Sequence, residues 1–213
     1  MTVRRDQPYL YPTWLAKLMS GEISCEWAVW YRVHYKDWAR PPSDFDEARY
    51  TMEHTRLLRE MRSKRDPGTE RIYVERQGSF WYTHPSGIRI SGTPDLVTTG
   101  PNGNCVYEAK AFSQRPYHKI QTMIYMYCLP RSERMEFFGR TFSGEVQYVE
   151  HAAQIAPEEV AGRFEEQLNY WMTLLSSNDP MERFPSEQEC RFCNIGKVDC
   201  PDRMAEVTVE TED

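Results

Sequence analysis

A chain of 213 residues, 40% hydrophobic and 27% charged, has the make-up of a globular protein that buries a core without disulfide staples. No apolar run approaches the roughly 20 residues that span a bilayer, so a membrane-spanning helix and a membrane partner are not expected. The net charge of −6 argues against a surface that grips long stretches of duplex, and any nucleic-acid contact has to be local. Carboxylates gathered to hold metal ions or an acidic tail over 204–213 would each give a negative balance, and net charge alone does not separate them.

Two arginines open the chain, but no apolar segment follows them, so the N-terminus is not read as a signal peptide and a cytoplasmic protein is expected. Thr13 reads as the cap of a short helix with Trp14, Leu15 and Leu18, interrupted at Gly21. Ser24 reads as the cap of a second, with Trp27, Trp30, Tyr31 and His34 on one side. A third is expected from about Asp44 to Lys64, because Tyr50, His54, Leu57, Leu58 and Met61 recur on one helical face.

The pattern then turns to strands. Segments 71–76, 79–83, 88–90, 96–99 and 105–108 are β-prone, and Gly100-Pro101-Asn102-Gly103 is a hairpin turn, giving a sheet that is locally antiparallel. A helix over 120–129, strands over 135–140 and 146–149, and a helix from Pro157 to Leu175 complete the pattern. The expected class is mixed α/β, without a regular βαβ repeat.

The hairpin carries the chemistry. Asp95 starts one arm, and Glu108 and Lys110 end the other. Residues two apart on a strand share a face, so Glu108 and Lys110 project together beside Asp95. Adjacent carboxylates repel unless a cation lies between them, and hard oxygen ligands suit Mg²⁺ or Mn²⁺. Such a metal orients a phosphodiester, while a lysine beside it positions water or stabilises the charged transition state. The bland reading of such a trio is a solvated strand end.

Cys190 and Cys193 form a C-x₂-C pair, Cys200 follows, and Cys25 is the candidate fourth member; Cys105 and Cys128 read as core thiols. Zinc, disulfides and an iron–sulfur cluster all use such a set, and the pattern alone favours zinc.

Pro94-Asp95, Glu108-x-Lys110 and Gln121-x₃-Tyr125 together resemble the PD-(D/E)xK nucleases of the RecB type. The resemblance runs from the early helices to the last cysteine. It implies a restriction-endonuclease-like core sheet flanked by helices, in a single domain with its core at about 44–175. An iron–sulfur subdomain, about 10–40 plus 185–203, would join the two ends. It implies Asp95, Glu108, the carbonyl of Ala109 and His54 as metal ligands, Lys110 as the catalytic lysine, and Gln121 and Tyr125 beside them. It reverses the preference for zinc: Cys25, Cys190, Cys193 and Cys200 would hold an iron–sulfur cluster, [4Fe–4S] favoured, as in the CRISPR-associated RecB-like exonucleases.

The expected activity is therefore hydrolysis of DNA at single-stranded ends, 5′ to 3′. The setting is phage or mobile-element recombination or replication, or CRISPR spacer acquisition with an integrase complex, in a prokaryotic cell. A non-catalytic cluster protein that binds DNA ends or a partner, and an RNA nuclease, are the competing readings. Arg115, His118 and Lys119 are expected near phosphates, with Arg71, Arg76 and Arg89 as weaker candidates, and Trp81, Tyr82 and Tyr117 as stacking surfaces.

Overall fold

The computed structural model describes residues 1–42 and 46–204. Asp44, where the third helix is expected to begin, and all of the acidic tail but Met204 lie outside the described residues. The fold is mixed α/β.

The N-terminal part places β1 (Val3–Arg4), β2 (Tyr9–Leu10), α1 (Pro12–Met19), α2 (Glu26–His34) and β3 (Tyr35–Lys36) in order. Pro12, not Thr13, marks the start of α1, because its fixed φ suits the first turn and its missing N–H leaves no bond unmade. Cys25, not Ser24, sits at the start of α2; Ser24 turns its hydroxyl to Glu189, 2.9 Å away. α3 (Glu47–Ser63) is capped by Asp46, whose side chain accepts from the Arg49 N–H at 2.9 Å.

Next come β4 (Arg71–Val74), β5 (Phe80–Thr83), β6 (Arg89–Gly92), β7 (Leu96–Gly100), β8 (Gly103–Lys110) and α4 (Pro116–Cys128). After them lie β9 (Ser143–Tyr148), β10 (Ala152–Ile155), α5 (Arg163–Leu175) and α6 (Glu187–Phe192). The central sheet has the order β10-β9-β8-β7-β4, and β2-β6-β5 form a separate sheet. The expected hairpin is present, with Gly100 opposite Gly103 and Leu96 opposite Tyr107. The sheet is mixed and not purely antiparallel: β9 runs parallel to β8, because α4 carries the chain back across the sheet face.

Two expected elements fall elsewhere. Segment 135–140 is no strand: the Phe137 and Phe138 N–H groups both return to the Arg134 carbonyl, and Gly139 takes φ +69°, so the chain curls and buries Phe137. The helix expected from Pro157 is broken: a 3-10 turn at Pro157–Val160 ends before Gly162, whose φ of +57° interrupts helical geometry, and α5 starts after it.

β8 lies at the centre and is covered on both faces. Leu57, Leu58 and Met61 of α3 pack with Leu96, Tyr107 and Ala109 on one side. Val106 joins the larger core with Ile124 and Met126 of α4 on the other. Glycines allow α4 to sit this close. A Cβ at Gly144 would lie 2.6 Å from Met126 Sδ, and one at Gly92 would lie 2.7 Å from Tyr125 Cε1. Among the described residues no helix is long and apolar enough to cross a membrane.

Candidate active site and cysteine cavity

The alternation of β8 turns Glu108 and Lys110 toward α4 while Tyr107 and Ala109 face α3. Lys110 Nζ lies 2.7 Å from Glu108 Oε1. Gln121, from α4, completes the group: its Nε2 donates to Glu108 Oε1 at 2.8 Å and to Tyr125 Oη at 2.9 Å, and its Oε1 accepts from Lys110 Nζ at 3.3 Å. The one-turn spacing of Gln121 and Tyr125 thus places both on the face toward Glu108. Asp95, just before β7, accepts the Ala109 N–H on Oδ2 at 2.7 Å, and its Oδ1 faces His54 Nε2 at 3.1 Å.

The electrostatics follow from burial. Desolvation and the Asp95 carboxylate push Glu108 up to about 7, against the pull of Lys110. Burial works to discharge Lys110, but the Glu108 carboxylate outweighs it and the ammonium is held firmly charged. The hydrogen bond to Asp95 raises His54 against a smaller opposing effect of burial. Burial raises the Tyr125 phenol well above its ordinary value, so it stays neutral.

Glu108 Oε2 is buried and has no hydrogen-bond partner among the described residues. A buried carboxylate oxygen left in this state is costly unless something positive meets it. Among the described residues no three His, Cys, Asp or Glu side chains converge tightly enough to form a ready metal group. The donor types at Asp95 and Glu108, and the orphaned oxygen, nonetheless fit a hard divalent cation.

The three basic candidates after Lys110 separate. Arg115 lines a cavity. His118 is buried and outside the cavity lining, and burial together with Lys110, Arg115 and Lys17 drives its pKa down to about 3, which favours the neutral ring. Lys119 pairs with Glu159. Among the aromatics, Trp81 is exposed on β5, Tyr82 is half-buried beside Tyr127, and Tyr117 shares the cavity with Arg115.

The two ends of the described chain meet. Cys25, Cys190, Cys193 and Cys200 line one cavity of about 720 Å³, and all are free thiols. Cys105 lies half-buried on β8 and Cys128 is buried in α4, both outside the cavity lining. Glu189, which the sequence did not single out, stitches the ends: its carboxylate accepts from Ser24 Oγ at 2.9 Å and from the Cys25 N–H at 3.2 Å. Arg32 donates to Asn194 Oδ1 at 3.0 Å and to Cys193 Sγ at 3.4 Å, while Trp38 Nε1 reaches the Asn194 carbonyl at 2.9 Å. Arg203 donates to the carbonyls of Cys193 and Ile195, each at 2.9 Å. Partners more than 150 residues apart leave no local signal, which is why Glu189 and Arg32 were missed. Thiols are the donor type of a soft or borderline metal centre, but among the described residues no three of these cysteines converge closely enough to form one.

No protein-family model matches the chain, and no curated protein matches it. Solved structures similar to it include one described as "Crystal structure of SSO0001", 17% identical, with a TM-score of 0.43 over 95% of this chain and 90% of that one. A likeness of that degree carries no argument about function.

Proposed function

We propose that the chain is a divalent-metal-dependent DNA nuclease of the RecB-like PD-(D/E)xK type, acting on single-stranded ends. One observation carries the reading: Glu108, Lys110 and Gln121 form one hydrogen-bonded group on the central strand, with the Asp95 carboxylate held by the adjacent Ala109 N–H, and Glu108 Oε2 is left buried and unpartnered. Structural ion pairs at strand ends are normally solvated or fully matched.

Asp95, Glu108, the Ala109 carbonyl and His54 would hold Mg²⁺ or Mn²⁺. The ion would supply positive charge against the scissile phosphate and acidify water. Lys110, kept charged by Glu108, stabilises the charge that builds on the phosphate oxygens as the P–O ester bond breaks. Gln121 fixes the rotamers of Glu108 and Lys110, and Tyr125 holds Gln121. The four cavity cysteines would hold an iron–sulfur cluster, [4Fe–4S] by the resemblance, that fastens the N-terminal helices to the C-terminal segment.

End-labelled single-stranded DNA incubated with Mn²⁺ tests the reading. Wild type degrades it, and Lys110→Ala and Glu108→Gln lose activity by about 100-fold or more, the usual scale for removing a transition-state charge partner. Equal degradation by wild type and Lys110→Ala overturns the catalytic assignment. A folded wild type that binds DNA without cutting it supports the non-catalytic binding protein, and an RNA strand in the same assay reads out the RNA nuclease.

A further inference from the structure

The cavity that the cysteines line extends beyond them. Its remaining wall includes Lys17 of α1, with Arg115 and Tyr117 from the start of α4. Lys17 Nζ stands 5.0 Å from the centroid of the Tyr117 ring. Several other charged residues of the wall have partners. Arg183 pairs with Asp202, Arg32 with Asn194 and Cys193, and Glu189 with Ser24 and Cys25.

Lys17 and Arg115 differ. Among the described residues neither side chain forms an ion pair, and Glu22 is the one carboxylate of the wall that acts on Lys17. Lys17 is nonetheless largely desolvated and stands close enough to Arg32, Lys110 and Arg115 to be repelled by all of them. Lys110, of the candidate catalytic group, does not line the cavity but is near enough for its charge to act on Lys17. Five cations line the concave wall (Lys17, Arg32, Arg115, Arg183 and Arg203) against two carboxylates (Glu22 and Glu189), and such an excess favours an anion by elementary electrostatics. A lysine supplies a point charge and an arginine a fork of donors, the pair that grips phosphate oxygens.

We propose that Lys17 and Arg115 form a phosphate-binding subsite beside the catalytic group, holding a phosphate of the nucleic-acid strand next to the one at Lys110, with the Tyr117 ring flanking it. The proposal rests on the nuclease reading for its occupant. Lys17 lies outside the Pro94-Asp95, Glu108-x-Lys110 and Gln121-x₃-Tyr125 motifs. The occupant is either a backbone phosphodiester or a terminal phosphomonoester.

Fluorescence anisotropy with labelled oligothymidylate, in chelator and without added metal, measures binding independently of cleavage. Lys17→Met and Arg115→Gln in the full-length protein are each expected to weaken binding about tenfold. Each should lower the slope of log K against log salt by about 0.7, the release from one single-strand phosphate contact. Lys17→Arg restores most of the affinity. Lys36→Met, exposed on β3, is the control and binds as wild type does. Thermal melts by circular dichroism confirm that the variants fold.

Oligonucleotides with and without a 5′ phosphate separate the occupants. A wild-type preference for the phosphate that the variants lose assigns the terminal monoester, and no preference assigns the backbone. Unchanged affinity and salt slope in both variants overturn the subsite. A wild type that binds normally but cleaves nothing with Mn²⁺ overturns the nuclease reading and leaves the subsite standing.

Discussion

Gln121 Nε2 sits 2.8 Å from Glu108 Oε1, a bond from α4 to the central strand that orients the most deeply buried carboxylate of the site. The same amide accepts from Lys110, so one side chain sets the geometry of both ends of the Glu108–Lys110 pair. On the proposed nuclease reading, Gln121 is a positioning residue. Gln121→Leu should lower kcat by about 10- to 100-fold with KM little changed, the scale for groups that orient metal ligands. Gln121→Glu adds a carboxylate beside Glu108, so its pH–rate profile should shift to higher pH on the acid side. A profile identical to wild type in both variants would show that Gln121 only fills space.

Stability and metal affinity should respond to pH in opposite ways. Glu108 is raised from its ordinary 4.5 to about 7 in the fold, chiefly by burial and then by Asp95. The folded chain therefore holds a proton that the unfolded chain has released between those values. Without metal, that contribution to stability is fully present below about 4.5 and is lost as pH rises through about 7. His54, also raised, acts in the same direction. A divalent ion competes with the Glu108 proton, so Mn²⁺ affinity should rise with pH across the same window. Melting curves with chelator and with Mn²⁺ check both signs. A metal-induced rise in Tm that shrinks above about pH 7 would contradict the assignment.

Gly92→Ala should destabilise the fold by about 1–3 kcal/mol, the usual cost of overpacking. Its new methyl would meet Tyr125 Cε1 at 2.7 Å, Pro12 Cγ at 3.0 Å and Phe80 Cε1 at 3.1 Å. Because Tyr125 holds Gln121, the same substitution should also reduce activity in the folded fraction. Urea denaturation and specific activity together test this, and a variant as stable as wild type would mean the ring swings aside freely.

Protein purified without oxygen should be brown and carry iron with acid-labile sulfide, and Cys190→Ser should lose both. Glu189→Ala keeps all four cysteines but removes the bonds to Ser24 and Cys25. It should retain the cluster at reduced occupancy and release it faster to chelator. Colourless protein with stoichiometric zinc would replace the cluster by a zinc clasp at the same residues.

Much of the site was legible in the residues alone. The β7–β8 hairpin, its turn at Gly100–Gly103, and the shared face of Glu108 and Lys110 follow from turn chemistry and strand alternation, which are local properties of the backbone. The one-turn spacing of Gln121 and Tyr125 is local in the same way. The strand expected at 135–140 failed because the tertiary burial of Phe137 and the turn at Gly139 overrode β-propensity. The parallel pairing of β9 likewise depended on where α4 crossed.

What only the folded chain decided was charge and facing. Desolvation depends on everything packed around a group, so no spacing rule foretells that Glu108 rises toward neutral pH while Lys110 beside it stays charged. Adjacent residues in one helix meet different neighbours, so Arg115 lines a cavity while His118 is buried and Lys119 pairs with Glu159. The four cysteines spelled out a donor set, but the meeting of Cys25 with the C-terminal three was decided by Glu189 and Arg32, whose partners lie at the other end of the chain.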